Sequence, residues 1–375
     1  MPDGGNASAG TGGARSTLSL PVDLRAHPHA AARAIAQAAA LLRDGRLVAF
    51  PTETVYGLGA DATNADAVAD IFAAKARPYS DPLIVHIADA TWLDRVVSII
   101  PPQARLLAEH FWPGPLTLVL PRADAIPPIV AAGGATVGVR VPDHPVALAL
   151  IRATDRPVAA PSANRFLHTS PTTAAHVLDD LDGRIDCVLD GGPCAVGVES
   201  TVLDLTSSPP RILRPGGVTL EALQALLPDV QGPREQATTA AALAAASGDG
   251  ISRAPGQFAR HYAPHTPLVV FAATGEAGLA AVATEAQRAL MLGQRVGALL
   301  PDEEAPTLEA MGAWVERMGP ADDLAQITRR LYAALRALDD GSCDLLLAHT
   351  FGRAGLALAL EDRLRRAASG DLRQV

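Results

Sequence analysis

Hydroxyl-bearing and cationic side chains are concentrated in Phe50–Ile87, which reads FPTETVYGLGADATNADAVADIFAAKARPYSDPLIVHI. A turn at Thr52–Thr54 follows an apolar strand, Lys75 and Arg77 end a predicted helix, and His86 lies on the next predicted strand. Hydroxyl, ammonium and guanidinium groups are the usual donors to a carboxylate or phosphate. Alone, each part also fits an ordinary turn or a solvated helix end, so the prediction of an anion site depends on their combination.

The same kinds of side chain recur at the ends of other predicted strands. The loop Pro161–Asn164 follows one strand, Ser200 and Thr201 open another, and Arg214 ends a third. Because α/β sheets place ligands at strand ends, we expect these groups to converge on one concavity that binds a small polyanion. Arg140 alternates with three valines along its strand, and an exposed strand arginine is the simple alternative for it.

The predicted helix before Lys75 shows how these groups are positioned. Asn64 is a good N-cap, and Val68, Ile71 and Phe72 follow the helical spacing that ends at Lys75. A cation in the last turn also suits the helix dipole. The helix should therefore deliver Lys75, with Arg77 two residues later, to one loop.

Composition and element order divide the chain into four parts. Residues 1–30 are predicted to be a disordered tail, 31–230 an α/β domain with a mixed sheet, 231–265 a linker with little apolar bulk, and 266–375 a smaller α/β domain. In the last part, strands and helices alternate regularly, which predicts a parallel, Rossmann-like sheet. No GxGxxG follows its first strand, so no dinucleotide is predicted there.

The composition of the 375-residue chain excludes several classes of protein. A net charge of −9 and 4% aromatic residues argue against strong direct binding of tRNA or other nucleic acids. The three cysteines form no CxxC pair, and Pro264 interrupts His261 and His265, so no metal site made of protein ligands is predicted. No apolar run approaches the roughly 20 residues that span a bilayer, and no signal peptide is recognised, so a cytoplasmic protein without a membrane partner is expected.

Seven motifs in a fixed order resemble one family. They read PTETVYGLG, KARPYSDPLIVHI, FWPGPLTLVLP, VGVRVPDHP, PSAN, GVESTVLDL and ILRPGG. Together they resemble the YrdC-like domain of threonylcarbamoyl-AMP synthases, and APGQFARHYAPHTPL with the α/β region after it resembles the long, two-domain form. The resemblance covers the chain from about Arg33 to Ala368. It implies a catalytic domain with a twisted mixed sheet and a smaller Rossmann-like α/β domain, joined by a long linker.

The resemblance also implies a reaction. The enzyme would be a nucleotidyltransferase, an L-threonylcarbamoyladenylate synthase, that forms threonylcarbamoyl-AMP and pyrophosphate from L-threonine, bicarbonate and ATP. The product would pass to the tRNA threonylcarbamoyl-transfer machinery, and Mg²⁺ would arrive with ATP. An RNA-binding YrdC-like module without adenylate synthesis is the alternative. A second, carbamoyl transfer through carbamoyl-adenylate, is disfavoured because the zinc-finger cysteine spacing of such proteins does not occur here.

The same resemblance implies the roles of individual residues. The residues implied to contact L-threonine are Thr54, His86, Arg140, the backbone of Ala160, and Ser200. Those implied to hold ATP or the adenylate are Arg77, Asp81, Thr136, Ser162, Asn164, Ser170, Arg214 and Tyr262. Lys75 and Arg77 are implied to be catalytic, because they neutralise charge as pyrophosphate leaves. Residues 254–264 are predicted to form a lid with Tyr262 on its inner face. Asp81 stands where the family often has Asn, and an acid would repel a triphosphate.

Overall fold

The computed structural model describes residues 16–234 and 261–375. Predictions for residues 1–15 and 235–260 lie outside the described residues. They include the start of the predicted tail, most of the predicted linker, and the lid residues before 261. The described parts of the chain form two sheets, and helices pack against both.

The larger sheet is mixed, as the sequence predicts. Its strands are β1 Leu18–Pro21, β2 Val48–Phe50, β3 Gly57–Asp61, β4 Ile84–His86, β5 Leu116–Pro121, β6 Thr136–Arg140, β7 Val158–Ala159, β8 Cys187–Asp190, β9 Thr201–Asp204 and β10 Arg211–Arg214. Their order is β1-β8-β2-β3-β7-β4-β6-β5-β9-β10. β4 runs parallel to β6 and β5 runs parallel to β9, whereas β3 pairs antiparallel with both β2 and β7. Most of these strands are buried, which explains their nearly continuous apolar sequences.

The helices of this first domain include the predicted one that ends at Lys75, with its apolar stripe buried. They are Pro28–Arg43, Ala65–Lys75, Leu93–Val96, Pro102–Phe111, Pro145–Thr154, Ala174–Leu181 and Leu220–Leu226. The helix Pro28–Arg43 packs along Pro145–Thr154, and its contact face consists largely of alanines, which allow a close approach. In residues 16–234 and 261–375, no helix is long and apolar enough to cross a membrane.

The smaller sheet is entirely parallel, as expected for a Rossmann-like domain. Its strands are β11 Leu268–Phe271, β12 Val296–Leu300, β13 Trp314–Arg317, β14 Leu345–His349 and β15 Leu372–Arg373, in the order β13-β12-β14-β11-β15. The helices that connect them are Gly275–Met291, Ala305–Glu309, Leu324–Leu338 and Ala357–Ala367. The predicted alternation of strand and helix is confirmed over the described part of this domain, which we call the C-terminal domain.

The predicted disordered tail is too long. Residues 18–21 form β1, which pairs in parallel with β8 at the edge of the large sheet. Thr17 anchors the strand because its hydroxyl donates to the carbonyl of Ile185, at 3.1 Å. The backbone of β1 makes these contacts, while none of its four side chains is fully buried, so the strand has no hydrophobic alternation that could be recognised. The same reasoning missed the glycine-rich β3 and the short edge strands β13 and β15.

The two domains share one hydrophobic cluster. Val55, Val198 and Tyr262 pack into a group of buried residues that otherwise belongs to the C-terminal domain, including Leu331 and Tyr332. Because these three residues are close in sequence to the predicted site, the domain contact lies directly behind that site. The C-terminal domain therefore packs against the back of that site.

Gly197 makes a close backbone contact across this interface. Its φ is +82°, and an added Cβ would lie 2.4 Å from the Cα of Arg329. We expect Gly197→Ala to lower the free energy of unfolding by about 2–5 kcal/mol, from overpacking and left-handed strain together. Gly192→Ala is the matched control, because Gly192 has a φ of +87° but open space around it, and should cost about 1–2 kcal/mol. Equal losses for the two variants in urea unfolding would contradict the interface.

Candidate active site

One cavity collects most of the predicted site residues. All five residues implied to contact threonine line it, together with four of those implied to hold ATP: Thr54, His86, Arg140, Ala160 and Ser200, then Arg77, Ser162, Arg214 and Tyr262. The expectation that polar groups at separate strand ends converge therefore holds. Five predicted residues do not line this cavity, namely Lys75, Asp81, Thr136, Asn164 and Ser170.

Lys75 supports the cavity from behind. Asn64 caps its helix by accepting from the amides of Asp66 and Ala67, and the helix ends at Ala76 in the left-handed conformation. The buried ammonium of Lys75 then donates to the carbonyl oxygen of Ser162 at 2.5 Å and to that of Asn164. Burial, and secondarily the charge of Arg77, lowers the pKa of Lys75 well below its ordinary value. By binding two of its carbonyl oxygens, the lysine holds the Pro161–Asn164 loop in place beside the cavity.

Arg77 reaches the cavity and is rigidly held. Its Nε donates to the carbonyl of Asp81 at 3.2 Å, and its Nη2 donates to the carbonyl of Pro82 at 2.9 Å. The Asp81 carboxylate lies 2.8 Å from the same guanidinium, and both side chains are buried. Asp81 is therefore an ion-pair partner of Arg77, and the implied contact of Asp81 with ATP is not supported by this geometry. The pairing also removes the repulsion that an acid would exert on a triphosphate.

Arg140 is buried and points into the cavity, so the alternative of an exposed strand arginine is wrong. β4 and β6 are in register with His86 opposite Arg140, which places both on one side of the site. The Arg140 guanidinium lies 2.5 Å from the Glu53 carboxylate, and its Nη1 donates to Thr54 Oγ1 at 3.0 Å. Thr52 and Thr54 hydrogen bond to each other at 2.8 Å. The Thr52–Thr54 turn therefore orients the arginine.

His86 is a neutral hydrogen-bonding group in this site. Its side chain is buried, and its Nδ1 has no hydrogen-bond partner in the described protein. Burial, with a smaller contribution from the Arg140 charge, lowers the pKa of His86 to about 3. An unprotonated imidazole beside a guanidinium can accept or donate one hydrogen bond to a ligand without adding positive charge.

The pKa of His86 predicts how stability changes with pH. In the unfolded chain a histidine takes up a proton below about pH 6.5, whereas folded His86 stays neutral down to about pH 3. Protons therefore favour the unfolded state, and His86 lowers stability as pH falls through 6.5. Between pH 7 and pH 5 its share is about 2 kcal/mol.

We expect His86→Asn to reduce the loss of unfolding free energy between pH 7 and pH 5 by that amount. Asn keeps a polar group but does not titrate in this range. The exposed His29→Asn is the matched control for the same substitution on the surface. Urea unfolding at the two pH values measures both, and identical pH dependence in His86→Asn and wild type would contradict the buried neutral imidazole.

Three of the residues implied to hold ATP lie outside the cavity, and two of them hydrogen bond to other parts of the protein. Asn164 Nδ2 donates to the carbonyl of His168 at 2.7 Å and closes its own loop. Ser170 Oγ donates to the Glu199 carboxylate at 2.6 Å and is fully buried. Thr136 lies at the start of β6, at the opposite end from Arg140. Direct contact of these three side chains with ATP is not supported by the described geometry.

Ser200 and Arg214 are locked together on the far side of the cavity. Arg214 Nη2 donates to the carbonyl of Ser200 at 3.0 Å and to its hydroxyl at 3.2 Å. The Ser200 hydroxyl also hydrogen bonds to Thr117 at 2.8 Å. An added Cβ at Gly216 would lie 2.2 Å from the Glu199 carbonyl, so only glycine allows the two chain segments to touch.

Comparisons with known proteins are consistent across sequence and structure. A family model for Sua5, YciO and YrdC proteins, described as "Telomere recombination", matches residues 40–216, and "Threonylcarbamoyl-AMP synthase, C-terminal domain" matches residues 218–369. The chain is 45% identical over 337 residues to threonylcarbamoyl-AMP synthase of Bacillus subtilis, covering 90% of this chain and 93% of the relative. The chain belongs to the threonylcarbamoyl-AMP synthase family. The protein of this name from Pyrococcus abyssi is 42% identical over 331 residues, covering 88% of this chain and 92% of that one.

A solved structure extends the similarity to the whole two-domain arrangement. P. abyssi Sua5 complexed with L-threonine superposes with a TM-score of 0.84 and 38% identity, covering 96% of this chain and 99% of that one. The two-domain form of the threonylcarbamoyl-AMP synthase family, implied by the sequence motifs, is thus confirmed.

Sequence reasoning missed several lining residues of this synthase-family site. Glu199 lies directly beside Ser200, and His261, noted only as a possible metal ligand, lies beside Tyr262, so adjacency in the sequence was the available signal. The remaining missed residues are apolar or expose their backbone, namely Val55, Gly57 and Ile84. Glu199 is the most consequential omission, because a carboxylate in an anion site is not expected from residue type alone.

Residues 16–234 and 261–375 contain no cluster of three or more histidine, cysteine or acidic side chains that could hold an ion. The Asp81 carboxylate is engaged by Arg77 at 2.8 Å. The donor set of the cavity is mainly cationic and hydroxylic, which suits phosphate oxygens better than a bare cation.

Proposed function

We propose that this chain is an L-threonylcarbamoyladenylate synthase, a nucleotidyltransferase that joins L-threonine, carbon dioxide or bicarbonate, and the AMP moiety of ATP. The observation that carries the proposal is the convergence of Arg77, Arg140, Ser162, Ser200 and Arg214 on one cavity. The cavity has two groups of cations. Arg140 suits a carboxylate, and Arg77 with Arg214 suits a phosphate chain. The threonine complex of the P. abyssi relative supports the assignment of the amino acid.

The threonine end of the site lies around Arg140. Its guanidinium is oriented by Glu53 and Thr54 and would pair with the threonine carboxylate. His86, neutral at physiological pH, and the Ser200 hydroxyl would hold the amino group and the side chain without adding a positive charge that repels the ammonium form, which gives up a proton to become the amine nucleophile. That amine attacks carbon dioxide, forms an N–C bond and loses a proton, which gives the carbamate.

The phosphate end of the site carries out adenylation. A carbamate oxygen attacks the α-phosphorus of ATP, and the bond to pyrophosphate breaks, so bicarbonate, threonine and ATP yield threonylcarbamoyl-AMP, pyrophosphate and water. Arg77 and Arg214 face the cavity and would stabilise the charge that builds on the leaving group. Lys75 acts indirectly, because its ammonium donates to the Ser162 carbonyl and fixes the loop that carries Ser162. Mg²⁺ would enter as the complex with ATP, held by phosphate oxygens and water.

His261 and Tyr262 close the cavity in this conformation. Both side chains are buried and line it, and the free space between the walls is about 40 Å³. Sites for ligands of drug size usually hold about 300–1,000 Å³, so the cavity must widen for ATP to enter, and we propose His261 and Tyr262 as the residues that move. We therefore assign them to the inner face of a lid that afterwards shields the carbamate and adenylate from water. The adenylate would then pass to the machinery that transfers threonylcarbamoyl groups to tRNA.

Pyrophosphate release tests the proposal. The full chain, incubated with ATP, Mg²⁺ and bicarbonate, should release pyrophosphate only when L-threonine is added. Glycine in place of threonine should give much less product, because it lacks the groups that occupy the pocket. Pyrophosphate release that does not depend on an amino acid, or salt-sensitive retention of RNA without any ATP consumption, would contradict the proposal.

A further inference from the structure

One arginine of the C-terminal domain contacts three segments that line the candidate active site. Arg363 is fully buried. Its Nε donates to the Glu199 carboxylate at 2.7 Å, and its Nη2 donates to the carbonyl of Pro215 at 2.9 Å. Its guanidinium carbon lies 5.1 Å from the centre of the Tyr262 ring. Glu199 and Tyr262 line the cavity, and Pro215 directly follows Arg214, which lines it too.

Glu199 receives donors from both domains. Ser170 of the first domain donates to its Oε1 at 2.6 Å, whereas Tyr332 of the C-terminal domain donates to its Oε2 at 2.9 Å. Arg363 supplies the only positive charge that forms an ion pair with it among the described residues. A buried carboxylate is tolerated only with such partners, so the loss of Arg363 would leave Glu199 with the hydrogen bonds from Ser170 and Tyr332 but without its ion pair.

The charges around Glu199 keep it ionised. Burial alone raises the pKa of this carboxyl, but the charges of Arg363 and Arg214 and the hydrogen bond from Ser170 outweigh burial and hold the pKa below its ordinary value.

Other titratable groups surround this ion pair. On the C-terminal helix, Asp362 lies 2.5 Å from Arg363 and also forms an ion pair with Arg366. The two tyrosines that face the carboxylate, Tyr262 and Tyr332, have raised pKa values because of burial and stay neutral.

The contacts of Arg363 meet where two active-site segments already touch. Gly216 packs against the backbone of Glu199, and Arg214 donates to the Ser200 carbonyl at 3.0 Å. A guanidinium that binds both Glu199 and Pro215 therefore fixes Ser200 and Arg214 relative to each other. Its planar fork suits two acceptors in different directions, which a lysine ammonium at one point does not.

We infer that Arg363 is a positioning residue through which the C-terminal domain fixes the Glu199–Ser200 and Arg214–Pro215 segments of the active site. The assignment of substrates to those segments rests on the proposed function, whereas the positioning itself does not. The C-terminal domain is then an integral part of the catalytic site, and Tyr332 assists Arg363 by holding the same carboxylate oxygen.

Kinetics of full-length variants test the inference. Arg363→Met should lower kcat/KM for threonine by about 10- to 100-fold, the usual effect of losing hydrogen bonds to a charged group. It should also lose activity as pH falls, because the pKa of Glu199 rises without its ion-pair partner. Arg363→Lys keeps the charge and should restore the wild-type pH profile but only part of kcat/KM. Arg330→Met is the matched control, because Arg330 is half exposed and lies 3.8 Å from Glu316.

Two further measurements keep the inference falsifiable. Tyr332→Phe removes one hydroxyl and is the alternative variant if Arg363→Met does not fold. A fall in kcat/KM of about 3- to 10-fold supports the inference, whereas wild-type kinetics overturn it. Amide hydrogen exchange of residues 197–202 and 212–218 should accelerate in Arg363→Met and Arg363→Lys but not in Arg330→Met. If the wild type shows no threonine-dependent turnover, the proposed function fails, and the exchange data alone decide the positioning role. Unchanged exchange in both Arg363 variants would overturn it.

Discussion

Removing the Arg77 guanidinium should lower kcat for threonine-dependent pyrophosphate formation by about 100- to 1,000-fold. This is the usual effect of losing one preorganised donor from a site of developing charge. Arg77 is suited to this role because it faces the cavity and is fixed by two backbone carbonyls before any substrate binds. Asp81 would be left as an isolated buried charge, so the test uses the double variant Arg77→Ala/Asp81→Asn. Initial rates at saturating ATP and threonine measure kcat.

Two controls separate charge loss from damage to the fold. Asp81→Asn alone removes the ion pair but keeps the guanidinium at the cavity, so most of kcat should remain. Arg105→Ala removes an exposed arginine and should behave as wild type. A folded double variant that retains more than one-tenth of the wild-type kcat would contradict the catalytic role of Arg77.

Replacing Arg140 should have two large and separable effects. Arg140→Met removes the proposed partner of the threonine carboxylate, and KM for threonine should rise by roughly 30- to 150-fold, equivalent to about 2–3 kcal/mol. In the wild type, the buried Glu53 carboxylate lies 2.5 Å from the Arg140 guanidinium. The same substitution leaves this carboxylate without its ion-pair partner and should lower the free energy of unfolding by about 3–5 kcal/mol. Steady-state kinetics and urea unfolding measure the two effects.

A double substitution separates the two roles of Arg140. In Glu53→Gln/Arg140→Met neither side chain carries a charge, so most of the lost stability should return while KM for threonine stays high. Recovery of threonine affinity together with stability would mean that Arg140 acts only through the fold. Glu53→Gln alone should leave Arg140 less well oriented and raise KM to a smaller extent.

Much of the fold and the broad site was predictable because its signals are local. The cap at Asn64, the apolar stripe that follows it and the end of the helix after Lys75 are all readable from spacing, and the structure has them. The cavity was predictable because hydroxyls and arginines follow several strand ends, and one sheet brings such ends together. β3 was not predictable, since GLGAD lacks the alternation of a typical strand.

The partners of buried polar side chains were not predictable. Lys75 belongs to a motif that implies contact with phosphate, yet its ammonium is used by two loop carbonyls. Asp81 and Ser170 are likewise engaged by Arg77 and Glu199. Each choice depends on which group the fold brings within 3 Å, and sequence spacing does not encode that distance. The contact of Arg363 with Glu199 spans 164 residues and two domains, which places it furthest beyond local signals.

Direct detection of the product is the most decisive measurement of the central claim. The full chain would be incubated with ATP, Mg²⁺, L-threonine and ¹³C-bicarbonate. The nucleotides would then be separated, and their masses determined by mass spectrometry. The proposed chemistry predicts an AMP adduct that contains threonine and one ¹³C atom, formed in equal amount with pyrophosphate. ATP turnover without the labelled carbon in an adenylate, or no turnover at all, would contradict it.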